Sequence, residues 1–339
     1  MSQASRRARR VLLRVAWVAL LAGCEGYASA LDPGGPQAAR IKELTLFLFG
    51  VGAIVYLAVI GVLLYALRRA HVRNSVESGP AAERRMVRAV VGGVVVTFTI
   101  VMVTLFLNLE TGRSLASFAD PGALTITVTG QQWWWEVVYE DPNPSRRLTT
   151  ANEIYVPVGT PIRLVTGSRD VIHSFWAPNL HGKIDLIPGY SGTTYFQADE
   201  EGVYRGRCAE FCGLQHARMD FRVIAVSPDR FAVWYEGQLR PARVPTTVEE
   251  VAGREIFLSR GCVLCHTIRG TPAGSRVGPD LTHLASRSRL AAGTLPNTRG
   301  HLAGWVLDAQ GIKPGARMPP NQLAPDELRA LLAYLESLR

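Results

Sequence analysis

Two long apolar runs open the chain. Residues 44–67 carry no charged side chain over 24 positions, and residues 89–109 carry none over 21. Each run exceeds the ~20 residues that cross ~30 Å of hydrocarbon as a helix. Neither shows the polar face of a soluble core helix. The pattern predicts a two-helix transmembrane hairpin over residues 40–110. After Glu110 the period changes to two. Leu124, Ile126 and Val128 alternate with threonines, as in a half-buried strand. Residues 133–139, 153–157, 162–165, 193–196, 203–207 and 221–226 bring the count to about seven short strands. Val158-Gly159-Thr160 reads as the turn of a hairpin. Strands at this spacing over residues 120–236 predict an all-β Greek-key sandwich or small barrel. Residues 237–248, with two prolines and little apolar content, read as a linker. Beyond them the period becomes helical at 251–258, 302–309 and 325–338, the last with Leu328, Leu331, Leu332 and Leu335 on one face. An all-α module over 249–339 completes a multidomain chain.

The N-terminus adds a targeting signal. Arg6, Arg7, Arg9, Arg10 and Arg14 precede a short apolar run that ends at Leu21-Ala22-Gly23-Cys24. Residues 1–24 have the shape of a secretory signal peptide and also resemble a bacterial lipoprotein box, in which Cys24 becomes the lipidated N-terminus. Between the apolar runs lie Arg68, Arg69, Arg73, Arg84, Arg85 and Arg88, against Glu77 and Glu83. Short arginine-rich loops stay in the cytoplasm, which puts everything from Glu110 onward outside. The net charge of +9 does not indicate a nucleic-acid partner. Residues 1–109 hold 13 basic and 5 acidic side chains, leaving the large polar part with 24 and 23. A nucleic-acid domain needs a basic face, and this part is nearly neutral. It also lacks a nucleotide loop, a Gly-x-Ser-x-Gly turn and a zinc-protease helix.

One dense run interrupts the strands: Cys208-Ala-Glu-Phe-Cys212-Gly-Leu-Gln-His216-Ala-Arg-Met219, with His173 35 positions earlier. Cys, His and Met are soft and intermediate donors that suit copper. Two cysteines and two histidines would also satisfy zinc, but Met219 beside His216 favours copper. The spacing could also mark one face of a helix. Strands expected on both sides, and a glycine inside, make a ligand loop the simpler account.

A second motif lies in the helical module. Cys262-Val-Leu-Cys265-His266 is the attachment signature of c-type haem. Two thiols three apart reach the two vinyl groups of one macrocycle, and His266 faces the iron. Met318, in Gly315-Ala-Arg-Met318-Pro-Pro, is the candidate second axial ligand. A thioether there favours ferrous iron and raises the potential.

The Cys208–Met219 run is similar, position by position, to the dinuclear copper (CuA) motif of cytochrome c oxidase subunit II. The resemblance covers residues 40–240 and implies a cupredoxin-like domain. It implies that Cys208 and Cys212 bridge two copper ions and that His173 and His216 bind one each. Met219 and the Glu210 carbonyl complete the set, and the Glu210 side chain binds a magnesium ion at the interface with subunit I. Gln131-Gln132-Trp133-Trp134-Trp135 looks like the family's aromatic patch, with Gln131 where His is usual and Trp133 in the place of the tryptophan that receives electrons. The alternative for Trp133 is simply a packed strand aromatic. Asp170-Val-Ile-His173-Ser and Lys183-Ile-Asp185-Leu-Ile-Pro188-Gly189 match the segments around the first histidine. The family's acidic proton-uptake residue has only Glu83 as a candidate, which reads better as a solvated loop charge.

Gly253-x-x-x-Phe257 and Gly278-Pro279-Asp280-Leu281 resemble class I cytochrome c, where the carbonyl of the proline, here Pro279, supports the axial histidine. The five cysteines then divide among one lipid site, two copper bridges and two thioethers, leaving none for a disulfide. His71 falls in the cytoplasmic loop, and His181, His283 and His301 read as surface or structural residues. The whole resembles a bacterial subunit II with a fused C-terminal class I cytochrome c domain. That implies a multi-pass protein of the inner membrane with its copper and haem domains on the periplasmic side. Electrons would pass from a donor, quinol–cytochrome c reductase or a soluble cytochrome, through haem c and copper to subunit I, with subunit III alongside. The oxygen-reducing site must lie on that partner, because the two spans contain no histidine. Fusion would hold the haem near the copper at an effective concentration on the order of millimolar. A nitric-oxide-reducing relative can use the same copper centre and stays open. A tethered copper or redox carrier without a catalytic partner needs exchangeable metal and few ligands, which fits six ligand positions poorly.

Overall fold

Pro36 and Pro80 open two helices, α1 (Pro36–Val72) and α2 (Pro80–Ala116). Proline suits a helix's first turn, where its missing N–H would have no partner anyway. A computed structural model describes residues 28–72, 79–118, 120 and 122–339. The expected signal peptide with Cys24, and Arg73 and Glu77 of the loop, lie outside the described residues. At 37 residues each, the helices are about 55 Å long. Both are long and apolar enough to cross a membrane. Their large side chains stay exposed, with Phe49 at 72% and Phe106 at 65%. Contiguous apolar surface of this extent calls for lipid or protein to cover it. The chain divides into two compact units, residues 39–118 and the remainder.

The second unit begins with ten strands: β1 (Leu124–Gln131), β2 (Trp134–Tyr139), β3 (Leu148–Ala151), β4 (Glu153–Pro157), β5 (Ile162–Ser168), β6 (His173–Trp176), β7 (Ile184–Leu186), β8 (Gly192–Phe196), β9 (Gly202–Cys208) and β10 (Asp220–Val226). They form two five-stranded sheets, in the orders β3-β2-β1-β5-β8 and β4-β10-β9-β6-β7. The inward positions of both, among them Ile126, Val128, Val137, Ile154, Leu164 and Val223, make one continuous core. This is the expected cupredoxin-like sandwich, but β4 and β5 are not a hairpin. β5 pairs with β1 and β8, whereas β4 pairs in parallel with β10. The turn at Gly159 (φ +71) carries the chain from one sheet to the other. Two alternating runs around a glycine fit a hairpin or an arch equally; the partners that complete each ladder decide. β3, β6 and β7, at three or four residues each, are too short to show a period in the sequence.

Helix α3 (Pro228–Leu239) seals the sandwich with Trp234, which stacks on Tyr155 at 4.4 Å and meets Tyr139 at 5.4 Å. Residues 237–239, expected as linker, belong to this helix. The last module is mainly helical: α4 (Val248–Ser259), α5 (Arg299–Leu307), α6 (Ala309–Ile312) and α7 (Pro325–Ser337), with one two-residue ladder between Arg289–Leu290 and Leu295–Pro296. A capping box of Thr247 and Glu250 starts α4. α4 and α7 cross backbone to backbone at Gly253, where a Cβ would lie 2.0 Å from the Ala330 carbonyl oxygen.

The helical module packs on the sandwich through polar struts. Glu136, only 3% exposed, accepts from Arg276 Nε at 3.0 Å and Nη2 at 2.6 Å, and also from Arg169. Glu153 accepts from the Ser288 amide at 2.9 Å. Arg269 donates to the carbonyls of Gln238 and Leu239, fastening the chain just before the linker.

Candidate metal centre

Cys208 ends β9 and Asp220 begins β10. The Cys208 amide donates to the Met219 carbonyl at 3.0 Å, closing the intervening residues into a loop. Gly213 supplies a left-handed turn (φ +109), and His216–Arg218 form a single 3₁₀ turn. The four motif residues therefore do not share a helix face. β6 pairs with β9, which brings its first residue, His173, to Cys208.

The donors converge. Cys208 Sγ and Cys212 Sγ are 3.7 Å apart. His173 Nδ1 lies 3.9 Å from the first sulfur and His216 Nδ1 3.7 Å from the second. Met219 Sδ is 3.9 Å from Cys212 Sγ, and the Glu210 carbonyl is 3.1 Å from Cys208 Sγ. Cys208, Cys212, Met219 and His173 are buried. Three sulfurs, two imidazoles and a carbonyl within one pocket form a soft donor set that fits copper. The Glu210 carboxylate points elsewhere, 3.7 Å from Lys183 Nζ.

The surroundings prepare these donors. His173 Nε2 donates to Asp170 Oδ1 at 2.9 Å, which leaves Nδ1 free toward the sulfurs. Asp170 also accepts from the amides of Gln132 at 2.7 Å and Val171 at 2.8 Å. Burial works against its charge, but these bonds outweigh it and hold the carboxyl below its usual range. For His173, burial is likewise outweighed, here by Cys208 and Asp170, and the imidazole is raised. The hydrogen bond from Cys212 is the main cause that pulls Cys208 down to about 3, while Cys212 is pushed up. The two shifts oppose each other because a second thiolate so close would be repelled, and binding a metal would require both thiols deprotonated.

The indole Nε1 of Trp133 donates to the Cys212 carbonyl at 3.0 Å, as does Gln132 Nε2 at 2.8 Å. Trp133 is half-buried rather than a free surface tryptophan. The Met318-bearing segment passes over it, and a Cβ on Gly315 would lie 3.4 Å from the indole ring.

In the helical module, Gly261 (φ +79) turns the chain into the Cys262–Leu264 turn. The His266 amide returns to the Cys262 carbonyl at 3.0 Å, gathering both thiols and the imidazole. His266 Nδ1 donates to the Pro279 carbonyl at 2.8 Å, so Nε2 keeps its lone pair. Burial lowers the pKa of this ring and keeps it neutral. Gly278 closes over it so tightly that a Cβ would sit 2.6 Å from Cε1. Two free thiols beside a neutral imidazole with an open nitrogen fit a covalently attached haem. The backbone of Met318 is held by Gln310 Nε2 at 2.9 Å.

Two residues escaped the sequence reading. Asp170 stood in a matched segment but carried no role. Lys313 is 3% exposed and lies under the Met318 segment. Its signal was its rarity, one of three lysines among 37 basic residues.

Comparison with known proteins finds both modules. The cytochrome C oxidase subunit II periplasmic-domain family matches residues 141–226, and the cytochrome c family matches residues 250–339. The cytochrome c oxidase subunit 2 of Alkalihalophilus pseudofirmus is 34% identical, covering 94% of this chain and 94% of that protein. The cytochrome c oxidase subunit 2 of Bacillus subtilis is 26% identical and covers 98% of each. Among solved structures, the periplasmic domain of subunit II of cytochrome oxidase from Bradyrhizobium japonicum is 34% identical over 35% of this chain and 96% of its own, with a TM-score of 0.33.

Proposed function

Because the chain belongs to the cytochrome c oxidase subunit 2 family, we propose that it is the subunit through which electrons reach a haem–copper oxidase, taken up at haem c and handed on through a copper pair. It is a membrane-anchored part of an oxidoreductase complex, with a copper-binding and a haem-binding module. Bound haem and copper supply the one-electron carriers, and the protein supplies position and environment.

In this reading Cys208 and Cys212 would hold the copper through their thiolates. His173 and His216 each offer Nδ1, and Met219 Sδ and the Glu210 carbonyl are the weak donors. The β9–β10 ladder and Asp170 hold these groups rigidly, and burial keeps water from the sulfurs, so little must move when charge changes. In the haem module Cys262 and Cys265 would attach the haem, and His266 Nε2 and Met318 would hold its iron. Trp133, hydrogen-bonded to the Cys212 carbonyl and covered by Gly315, lies on the path between the modules. The Glu210 side chain is the candidate magnesium ligand, and Cys24 the lipid site. The arginines flanking the two helices favour a cytoplasmic loop, which supports the periplasmic side for both modules. There they meet a cytochrome or reductase as donor, and subunits I and III as neighbours.

The observation that carries this reading is the convergence of Cys208, Cys212, His173, His216 and Met219 within one pocket. Metal analysis with electron paramagnetic resonance of the purified full chain tests it. The expected result is two coppers and one iron, a near-infrared copper band and a c-type haem spectrum. Cys208→Ser should abolish the near-infrared band and leave the haem intact. A band that survives this change overturns the assignment.

A further inference from the structure

The segment leading to Met318 is gripped by the sandwich at nearly every residue. Arg218 donates to the Ile312 carbonyl. Gln215 Nε2 donates to the Pro314 carbonyl at 2.7 Å. Gly315 (φ +83) lies on the Trp133 ring. Arg317 Nη2 faces Asp170 Oδ2 at 3.5 Å, on the carboxylate that holds His173. At the centre Lys313, from the haem module, reaches under the segment. Its Nζ donates to the Trp133 carbonyl at 2.8 Å and to the Ala291 carbonyl at 3.1 Å.

A lysine amine this deeply buried must be hydrogen-bonded to be tolerated, and burial pulls its pKa down to about 7. One of its two acceptors belongs to each module. The Ala291 carbonyl is presented by strained backbone. Ala291 and Ala292 are non-glycine residues at φ +52 and +53, followed by Gly293 at φ +81. Such strain persists only where its surroundings fix it. Here the Ala291 carbonyl receives Lys313, and the Ala292 carbonyl receives the Asp220 amide of β10 at 3.0 Å.

We propose that Lys313 is a positioning residue that latches the haem module onto Trp133, so that the fused cytochrome is a seated donor rather than one swinging on its linker. This rests on the proposed route from haem to copper. A swinging donor reaches the copper module by diffusion, at a rate that falls as the medium thickens. A seated donor transfers without that search, and its rate scales with the seated fraction.

The test uses the full-length chain in detergent, loaded with haem and copper, in native and Lys313→Met forms. Methionine keeps most of the apolar stem and removes the donor. Passage of one electron from photoreduced haem to oxidised copper is followed at several glycerol concentrations. Hydrogen exchange is measured at the Asp220 amide, whose acceptor is in the other module, with Val223 as an internal reference. In the native chain the rate should ignore viscosity and Asp220 should be protected. In Lys313→Met the haem spectrum, the copper band and Val223 protection should stay, Asp220 exchange should rise, and transfer should slow on the order of tenfold and become viscosity-dependent. A variant with native rate and native Asp220 protection overturns the latch. So does a native rate that falls with viscosity, whether or not the variant folds. Absence of any haem-to-copper transfer in the native chain would instead refute the proposed route itself.

Discussion

Replacing Asp170 by asparagine should loosen copper without touching the haem. Asp170 Oδ1 accepts from His173 Nε2 at 2.9 Å and the Val171 amide at 2.8 Å. Oδ2 accepts from the Gln132 amide at 2.7 Å and faces Arg317. Asparagine offers one carbonyl oxygen and one NH2. Whichever way it turns, an N–H donor on one side meets another N–H. If the oxygen keeps His173, the Gln132 amide and the Trp133 segment lose their anchor; if it turns, His173 does. A hydrogen bond to a charged group contributes about 1.5–3 kcal/mol. At 1.4 kcal/mol per factor of ten, loss of the hydrogen bond that orients His173 weakens copper by roughly tenfold to a hundredfold. Chelator titration of the loaded full-length chain, read by the near-infrared band, measures this, with the c-type haem spectrum as internal standard. Unchanged copper affinity in Asp170→Asn would mean that neither the His173 bond nor the Gln132 anchor supports copper and that the carboxylate argument is wrong.

Three further outcomes follow from packing and capping. Phe221→Ala removes a ring that is 1% exposed and stacked on Phe175 at 4.1 Å, and should destabilise the sandwich by about 3–5 kcal/mol, read as a lower melting temperature of the copper-loaded module. Gly253→Ala would ordinarily favour a helix by ~0.5–1 kcal/mol. Here the added Cβ meets backbone of α7 at 2.0 Å, so the sign reverses and the haem module should lose about 1–3 kcal/mol by thermal unfolding. Amides of Thr246 and Thr247, with Arg243, hold the Glu250 carboxyl below its usual range. A depressed folded-state value adds stability at neutral pH that is lost on acidification, because the unfolded chain takes up the proton first. The melting-temperature gap between native and Glu250→Gln chains should therefore shrink from pH 7 toward pH 3, and a constant gap would contradict this.

Long-range periodicity made the two apolar helices and the sandwich class legible, because runs of 24 and 21 residues and alternating strands each report their own burial. The ligand positions were legible because metal chemistry restricts residue type more narrowly than packing does. Sheet membership was not. Whether β4 turns back on β5 or crosses to β10 depends on which ladders are completed far away in sequence, and Gly159 serves both. Trp133 was legible as a member of an aromatic cluster but not as half-buried, since the residues that cover it lie some 180 positions later.

The interface between the modules shows why. Glu136 with Arg169 and Arg276, Glu153 with Ser288, and Lys313 with two carbonyls join them by polar contacts. In sequence, Glu136, Glu153, Arg169, Arg276 and Lys313 look like ordinary surface charge. An interface built from apolar area would have left an exposed stripe to read; one built from buried, paired charge leaves none. The choice has a physical consequence. Apolar faces tolerate sliding, whereas a buried carboxylate or ammonium is stable only when its few partners stand at the right distance. The proposed electron transfer between the modules would demand that same fixity. The contacts hardest to see in the sequence are therefore the ones that would turn a tethered donor into a registered one.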